Sequence, residues 1–126
     1  MENVVNAVNW FEIPVTDFAR AKAFYSAIFD YEMQQDKMSH LTLGFLPCEP
    51  GKGIGGAIVL SDGYVPSQNG TVVYLNGGND LNVVLNRIEK AGGKILVGKT
   101  RIDDNHGYFA IFLDSEGNKL GLHSMN

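Results

Sequence analysis

The chain has 126 residues, of which 44% are hydrophobic and 19% charged, and its net charge at pH 7 is −4. These values are typical of a single globular domain with its own core, and an acidic balance without a basic cluster excludes nucleic acid as a partner. The apolar runs are too short to cross a membrane, and the single cysteine cannot form an internal disulfide. We therefore expect one cytoplasmic domain over residues 1–126.

The first half of the chain predicts a strand, a helix and three further strands. Residues 9–15 alternate in polarity and predict a strand. Asp17 is suited to cap the helix predicted over residues 18–29, because its carboxylate can accept from the free amides of the first turn. Weaker or shorter strand patterns follow in residues 31–35, 40–46 and 57–60.

The second half repeats this plan. Residues 71–75 predict a strand, Asp80 a helix start, and residues 81–91 a helix that Gly92 can end in a left-handed conformation. Asp17 and Asp80 are 80 − 17 = 63 positions apart, which is half of the 126 residues. Further strands are predicted in residues 94–97, 108–113 and 119–123, the last two joined by a turn at residues 114–118.

The pattern predicts an α+β fold of two βαβββ modules, over about residues 6–62 and 69–126. A surface shared by two such modules is the natural place for a site. The loops over residues 47–56 and 61–70 are long enough for a compact domain to favour a functional role or mobility.

Three segments resemble the vicinal oxygen chelate superfamily, which includes glyoxalase I, bleomycin resistance proteins and extradiol dioxygenases. The first is the opening strand and helix start at residues 10–17, together with residues 21–25, which end in Phe-Tyr. The second is Ala-Gly-Gly-Lys at residues 91–94, and the third is residues 114–122, which begin with Asp-Ser-Glu-Gly-Asn. The chain is most similar to the single-domain members related to lactoylglutathione lyase. The resemblance implies a curved cup of sheets with helices on the convex side, first strands that pair near the middle, and a homodimer.

Enzymes of this superfamily hold a divalent metal in the cup through His, Glu or Gln side chains on four strands. The matching positions here are Trp10, Gly56 or Ala57, Val73 and Gly121. None of these side chains is a metal ligand. We therefore expect no metal and no other cofactor. An unusual site built from His40, His123 and Glu12 is the alternative.

Two residues are candidates for catalysis. Alternation turns Phe11, Ile13 and Val15 towards the helices, so Glu12 shares the opposite face with Trp10, which the resemblance assigns to the cup. Glu12 is suited to act as an acid or base or as a hydrogen-bond acceptor for a ligand. His123 follows Gly121 by two residues and shares its face. The alternatives are a strand carboxylate paired with a cation and a terminal histidine held by a hydrogen bond.

Four further residues are candidates for ligand binding. Trp10 would form an apolar or stacking wall of the cup, and Tyr108 and Phe112 would extend it. His40 shares a strand face with Thr42 that is a candidate for the cup. The alternatives are packing in the core for the aromatic residues and a solvent-exposed strand position for His40.

Three functions follow from these candidates. The first is binding of a small organic molecule in the cup without a metal. The second is a lyase- or isomerase-type reaction, in which Glu12 abstracts a proton beside a carbonyl and His123 steadies the oxyanion. The third is a module whose cup has collapsed and which associates with another chain.

Overall fold

The computed structural model describes residues 3–126, so the first two residues of the predicted domain lie outside it. The first half contains β1 (Trp10–Pro14), α1 (Phe18–Phe29), β2 (Gln35–Met38), β3 (Leu41–Phe45) and β4 (Gly55–Leu60). The second half contains β5 (Tyr74–Asn76), α2 (Leu81–Ala91), β6 (Lys94–Asp103), β7 (Gly107–Leu113) and β8 (Lys119–Ser124). The predicted βαβββ order therefore occurs twice.

Each module forms one four-stranded sheet. The strand orders are β1-β4-β3-β2 and β5-β8-β7-β6, with the first and last strands of each module paired in parallel and the others antiparallel. Within residues 3–126, β1 and β5 are not hydrogen-bonded to each other. The expectation that the first strands pair is therefore wrong, and an open cleft runs between them instead.

Both helices begin at the predicted aspartates. The Asp17 carboxylate accepts from the amide of Arg20, and the Asp80 carboxylate from the amide of Asn82. Gly92 ends α2 with a φ of 111°, a conformation that a residue with a Cβ adopts only with strain. Neither helix is long and apolar enough to cross a membrane, as far as the described residues go.

One hydrophobic core joins the two modules. The helices and one face of each sheet contribute to it, and its fully buried members include Phe24, Ile28, Ile58, Ile88 and Leu122. The two helices therefore lie together on the convex side of the sheets. On the opposite, concave side, the first module has a second, smaller buried cluster of Leu43, Ala57 and Val59. The cup can therefore form only on the part of the concave side that this cluster leaves exposed.

Three strand predictions differ from the structure. β5 covers only Tyr74–Asn76 and begins three residues after the predicted start at residue 71. β2 begins at Gln35 instead of residue 31, because the Tyr31 ring packs against the core and its hydroxyl donates to the carbonyl of Phe45 at 2.7 Å. β6 continues to Asp103, six residues beyond its predicted end, as an exposed edge strand with breaks in its register. An exposed strand needs no apolar alternation, so the pattern of residues 98–103 does not reveal it.

The turn at residues 114–118 fastens the second module to the first. The Glu116 side chain is fully buried, and its carboxylate accepts from the amides of Thr16 (3.0 Å) and Asp17 (2.8 Å) at the start of α1. The Arg20 guanidinium donates to the same carboxylate at 2.7 and 3.1 Å. Burial alone would raise the pKa of Glu116, but the hydrogen bonds from Arg20, Asp17 and Thr16 outweigh it and lower the pKa to about 2.

Asp114 and Asn118 extend this attachment into the core. The buried Tyr25 hydroxyl donates to the Asp114 carboxylate at 2.7 Å, and both the burial and this carboxylate raise the pKa of Tyr25. The Asn118 amide donates to the Pro14 carbonyl at the end of β1 at 2.7 Å. The turn therefore fixes both α1 and β1 of the first module.

We expect Glu116→Gln to lower the free energy of unfolding by about 1–3 kcal/mol at pH 7, because the contact with the half-exposed Arg20 loses its charge and one acceptor oxygen becomes a donor. The folded pKa of Glu116 lies below its ordinary value of 4.5, so its contribution is complete above that value and is lost as the pH falls towards 2. Urea unfolding at several pH values measures both effects.

Glu89→Gln makes the same chemical change at an exposed position of α2 and is the matched control. Between about pH 6 and pH 3 the wild type and the control should lose more stability than Glu116→Gln. Equal stability of the two variants at pH 7, with parallel pH profiles, would contradict this account of the turn.

Candidate functional site

A groove separates the concave edges of the two modules. Its larger part is a cleft of about 520 Å³ between β1, β5 and the loop before β4, with a predominantly apolar lining. A smaller cleft of about 230 Å³ continues beside Glu12 and Pro14. Thr71 and Val73 line both clefts, which we call together the inter-module groove.

Trp10 contacts a glycine on the neighbouring strand. It is the register partner of Gly55, and a Cβ built on that glycine would lie 3.5 Å from the indole ring. Phe45 contacts the indole edge to face at 6.3 Å between centroids. The indole is held in place but 46% exposed, so it can still contact a ligand.

Tyr74 repeats this arrangement in the second module. It is the register partner of Gly121, and a Cβ on that glycine would overlap the Tyr74 ring. Leu75 points into the core, which turns Tyr74 to the opposite face, where it is 52% exposed. Each module therefore presents to the groove one aromatic ring supported by a glycine.

Glu12 lies beside Trp10 on the concave face, as predicted. One carboxylate oxygen accepts from the Tyr64 hydroxyl at 2.8 Å, and the other from Trp10 Nε1 at 3.4 Å. The hydrogen bond to Glu12 raises the pKa of Tyr64. The ion pairs found within residues 3–126 involve six other carboxylates and not Glu12. The two hydrogen-bond partners of Glu12, the Trp10 indole and the Tyr64 hydroxyl, are neutral.

His123 also lies on the concave face, because it alternates with the buried Leu120 and Leu122. Its Nε2 lies 2.5 Å from the His106 carbonyl, to which it donates. His123 and Glu12 line different clefts, and the cleft of Glu12 reaches β8 at Lys119. Lys119 and His123 are four positions apart along β8, or about 13 Å. The structure therefore does not bring Glu12 and His123 together.

His40 lies away from the groove, in the turn between β2 and β3, with Nδ1 3.2 Å from the Ser39 hydroxyl. A Cβ on Gly44, two residues beyond Thr42 on the same face of β3, would meet Met33 and Phe18 beneath α1. The face that Thr42 shares with Gly44 is therefore the helix side of the sheet. The expectation that this face is the cup is corrected accordingly.

Phe112 and Tyr108 also face the helices. Phe112 is fully buried against Phe24, with 6.3 Å between the ring centroids. Tyr108 packs against the same core and is covered by the Lys99 ammonium at 4.6 Å. Neither forms a wall of the groove. Both faces of β7 are apolar, so alternation separates its two faces without showing which one is concave.

The residues at the family's metal-ligand positions do not fit a divalent metal. The register partner of Trp10 is Gly55, not the expected Gly56 or Ala57, and that of Gly121 is Tyr74, not Val73, which packs against the core. The concave residues at the matching positions are therefore Trp10, Gly55, Tyr74 and Gly121. An indole and two glycines offer no ligand atom, and a phenol is not a usual ligand of a divalent metal. Within residues 3–126, no three His, Cys, Asp or Glu side chains come together, so His40, His123 and Glu12 do not converge.

Two residues of the site were missed from the sequence. Tyr64 lies in the loop after β4, where no periodicity shows which way a side chain points. When the two modules are aligned on their helices, Val73 and not Tyr74 falls at the position that corresponds to Trp10. Six residues separate Tyr74 from Asp80, whereas seven separate Trp10 from Asp17 (80 − 74 = 6 and 17 − 10 = 7). The connection between strand and helix is one residue shorter in the second module. The concave residue that corresponds to Trp10 is therefore Tyr74.

Solved structures confirm the fold. A glyoxalase/bleomycin resistance protein/dioxygenase family enzyme from Burkholderia phytofirmans PsJN is 15% identical, with a TM-score of 0.67 over 94% of this chain and 98% of its own. A glyoxalase/bleomycin resistance protein from Streptomyces sp. CB03234 is 21% identical, with a TM-score of 0.67 over 91% and 97%. A glyoxalase I mutant from Zea mays is 20% identical, with a TM-score of 0.70 over 92% of this chain but only 46% of the maize chain.

A search of curated proteins found no match. The comparison with protein families matches residues 7–122 to one family, which covers both modules and the groove between them. The chain therefore belongs to the Glyoxalase/Bleomycin resistance protein/Dioxygenase superfamily.

Proposed function

We propose that this protein binds a small organic molecule in the inter-module groove and does so without the family's metal. The observation that carries the proposal is the half-exposed Trp10 indole, supported by Gly55 and facing an apolar cleft of about 520 Å³. A cleft of this size and lining, with few polar groups, is typical of sites for organic ligands. Glu12 and Tyr64 supply the polar contacts that orient the ligand.

The open groove favours the binding of a small molecule over a role as an association module, because the association hypothesis requires a cup that has collapsed. The lyase- or isomerase-type reaction remains a prediction. Glu12 and His123 line separate clefts, so one substrate would have to extend from one cleft into the other to contact both. Tyr64, which touches Glu12 directly, is better placed than His123 to act with it.

We expect neutral two-ring aromatic compounds such as 2-naphthol to bind the wild type, because Trp10 offers them a stacking surface. Trp10 is the only tryptophan, so its indole N–H gives a single NMR signal that should shift on binding. Calorimetry should show that Trp10→Ala weakens binding by about tenfold, the effect of losing one aromatic contact.

Val83→Ala is the matched control, because Val83 is 49% exposed on the outer surface of α2. It should leave the affinity unchanged. Binding that survives Trp10→Ala unaltered, or a complete failure of such compounds to bind at millimolar concentration, would contradict the proposal.

We also propose that the chain is a cytoplasmic homodimer, which the family resemblance supports. Light scattering should then give a mass of twice the 13.8 kDa of one chain. A mass of one chain at micromolar concentration would contradict the dimer and leave the groove proposal standing, since both walls of the groove belong to the same chain.

A further inference from the structure

We infer that the groove selects a flat ring that carries a positively charged nitrogen, such as an aryl-alkyl amine or an amidine. The inference rests on the proposed function and names the class of ligand for that same groove. It joins two observations: the aromatic rings on both walls of the groove, and the carboxylate at the edge of one of them.

The aromatic walls favour a flat ligand. Several atoms of the Tyr74 ring lie over Gly121, and the edge of the Trp10 indole contacts Gly55. A ring supported by backbone on one side leaves its other side towards the groove. The larger cleft is lined by both rings, one from each module. A flat ring makes more contact with such surfaces than a puckered one of the same size.

The charge at the groove favours a cation. The Glu12 carboxylate lies 3.4 Å from the Trp10 indole nitrogen, so it sits at the edge of this stacking surface. Its partners, the Trp10 N–H and the Tyr64 hydroxyl, are neutral donors and leave its negative charge uncompensated. A carboxylate has room for further donors, and a cation beside Trp10 would also be attracted by the ring faces.

Lys119 is the residue that would most favour an anionic ligand, because it lines the smaller cleft. Its ammonium is not among the ion-pair partners within 4.0 Å of Glu12 in the described part of the chain. An anionic group seated beside Trp10 would meet Glu12 first. The cationic ligand is therefore the one that the geometry favours.

Four probes of similar size test the inference by calorimetry at pH 7: 2-naphthylmethylamine, 2-naphthylmethanol, 2-naphthylacetate and decahydro-2-naphthylmethylamine. We expect the naphthyl amine to bind at least about tenfold more tightly than the other three. Glu12→Gln should weaken binding of the naphthyl amine to about the level of the alcohol, because the attraction between opposite charges is lost. Tyr74→Ala should weaken the naphthyl amine and the naphthyl alcohol alike.

Glu49→Gln removes a carboxylate from the exposed loop before β4 and should change none of these affinities. Alcohol or acetate binding as tight as that of the amine, or an amine preference that survives Glu12→Gln, would overturn the cationic class. Equal binding of decahydro-2-naphthylmethylamine, whose puckered rings match the naphthyl group in size, would overturn the flat ring. In each of these cases the groove still binds ligand and the proposed function stands. Failure of all three naphthyl probes to bind would defeat both.

Discussion

The buried Glu116 carboxylate at the start of α1 is the contact on which the groove depends. A carboxylate without solvent is stable only if its oxygens are satisfied, and the amides of Thr16 and Asp17 with the Arg20 guanidinium do this. Through Asn118, the same turn holds the carbonyl of Pro14 at the end of β1. β1 carries Trp10 and Glu12, so a polar contact on the convex side fixes the position of the residues that line the groove.

The proposed groove would exchange the chemistry of the family's site without a change in the fold. At the positions where the resemblance places metal ligands, this chain has Gly55 and Gly121, paired with Trp10 and Tyr74 on the neighbouring strands. Gly121 is needed, because a Cβ there would overlap the Tyr74 ring, whereas a Cβ at Gly55 would make only an ordinary contact with Trp10. In the proposed function, two apolar surfaces stand in place of a polar centre, and Glu12 is the charged group beside them.

The sequence predicted the frame well because the helices and β1 carry strong local signals. Asp17, Asp80 and Gly92 mark helix ends by their own chemistry, and the alternation in β1 correctly separated Glu12 from Ile13. The errors arise where both faces of a strand are apolar, or where the two modules differ in the number of residues between strand and helix. β7 is apolar on both faces, so Phe112 was expected in the cup and lies in the core. Tyr64 depends on the path of a loop, which no periodic pattern describes.

The central claim is that the groove works without a metal, and the metal content of purified, unchelated protein tests it most directly. Calorimetric titration of nickel, zinc, iron(II) and manganese into the chelator-treated protein completes the measurement. The arrangement of Trp10, Gly55, Tyr74 and Gly121 predicts that none is present and none binds at a defined stoichiometry. One equivalent held tightly, and lost on replacing Glu12 or His123, would contradict the claim and restore metal-dependent chemistry.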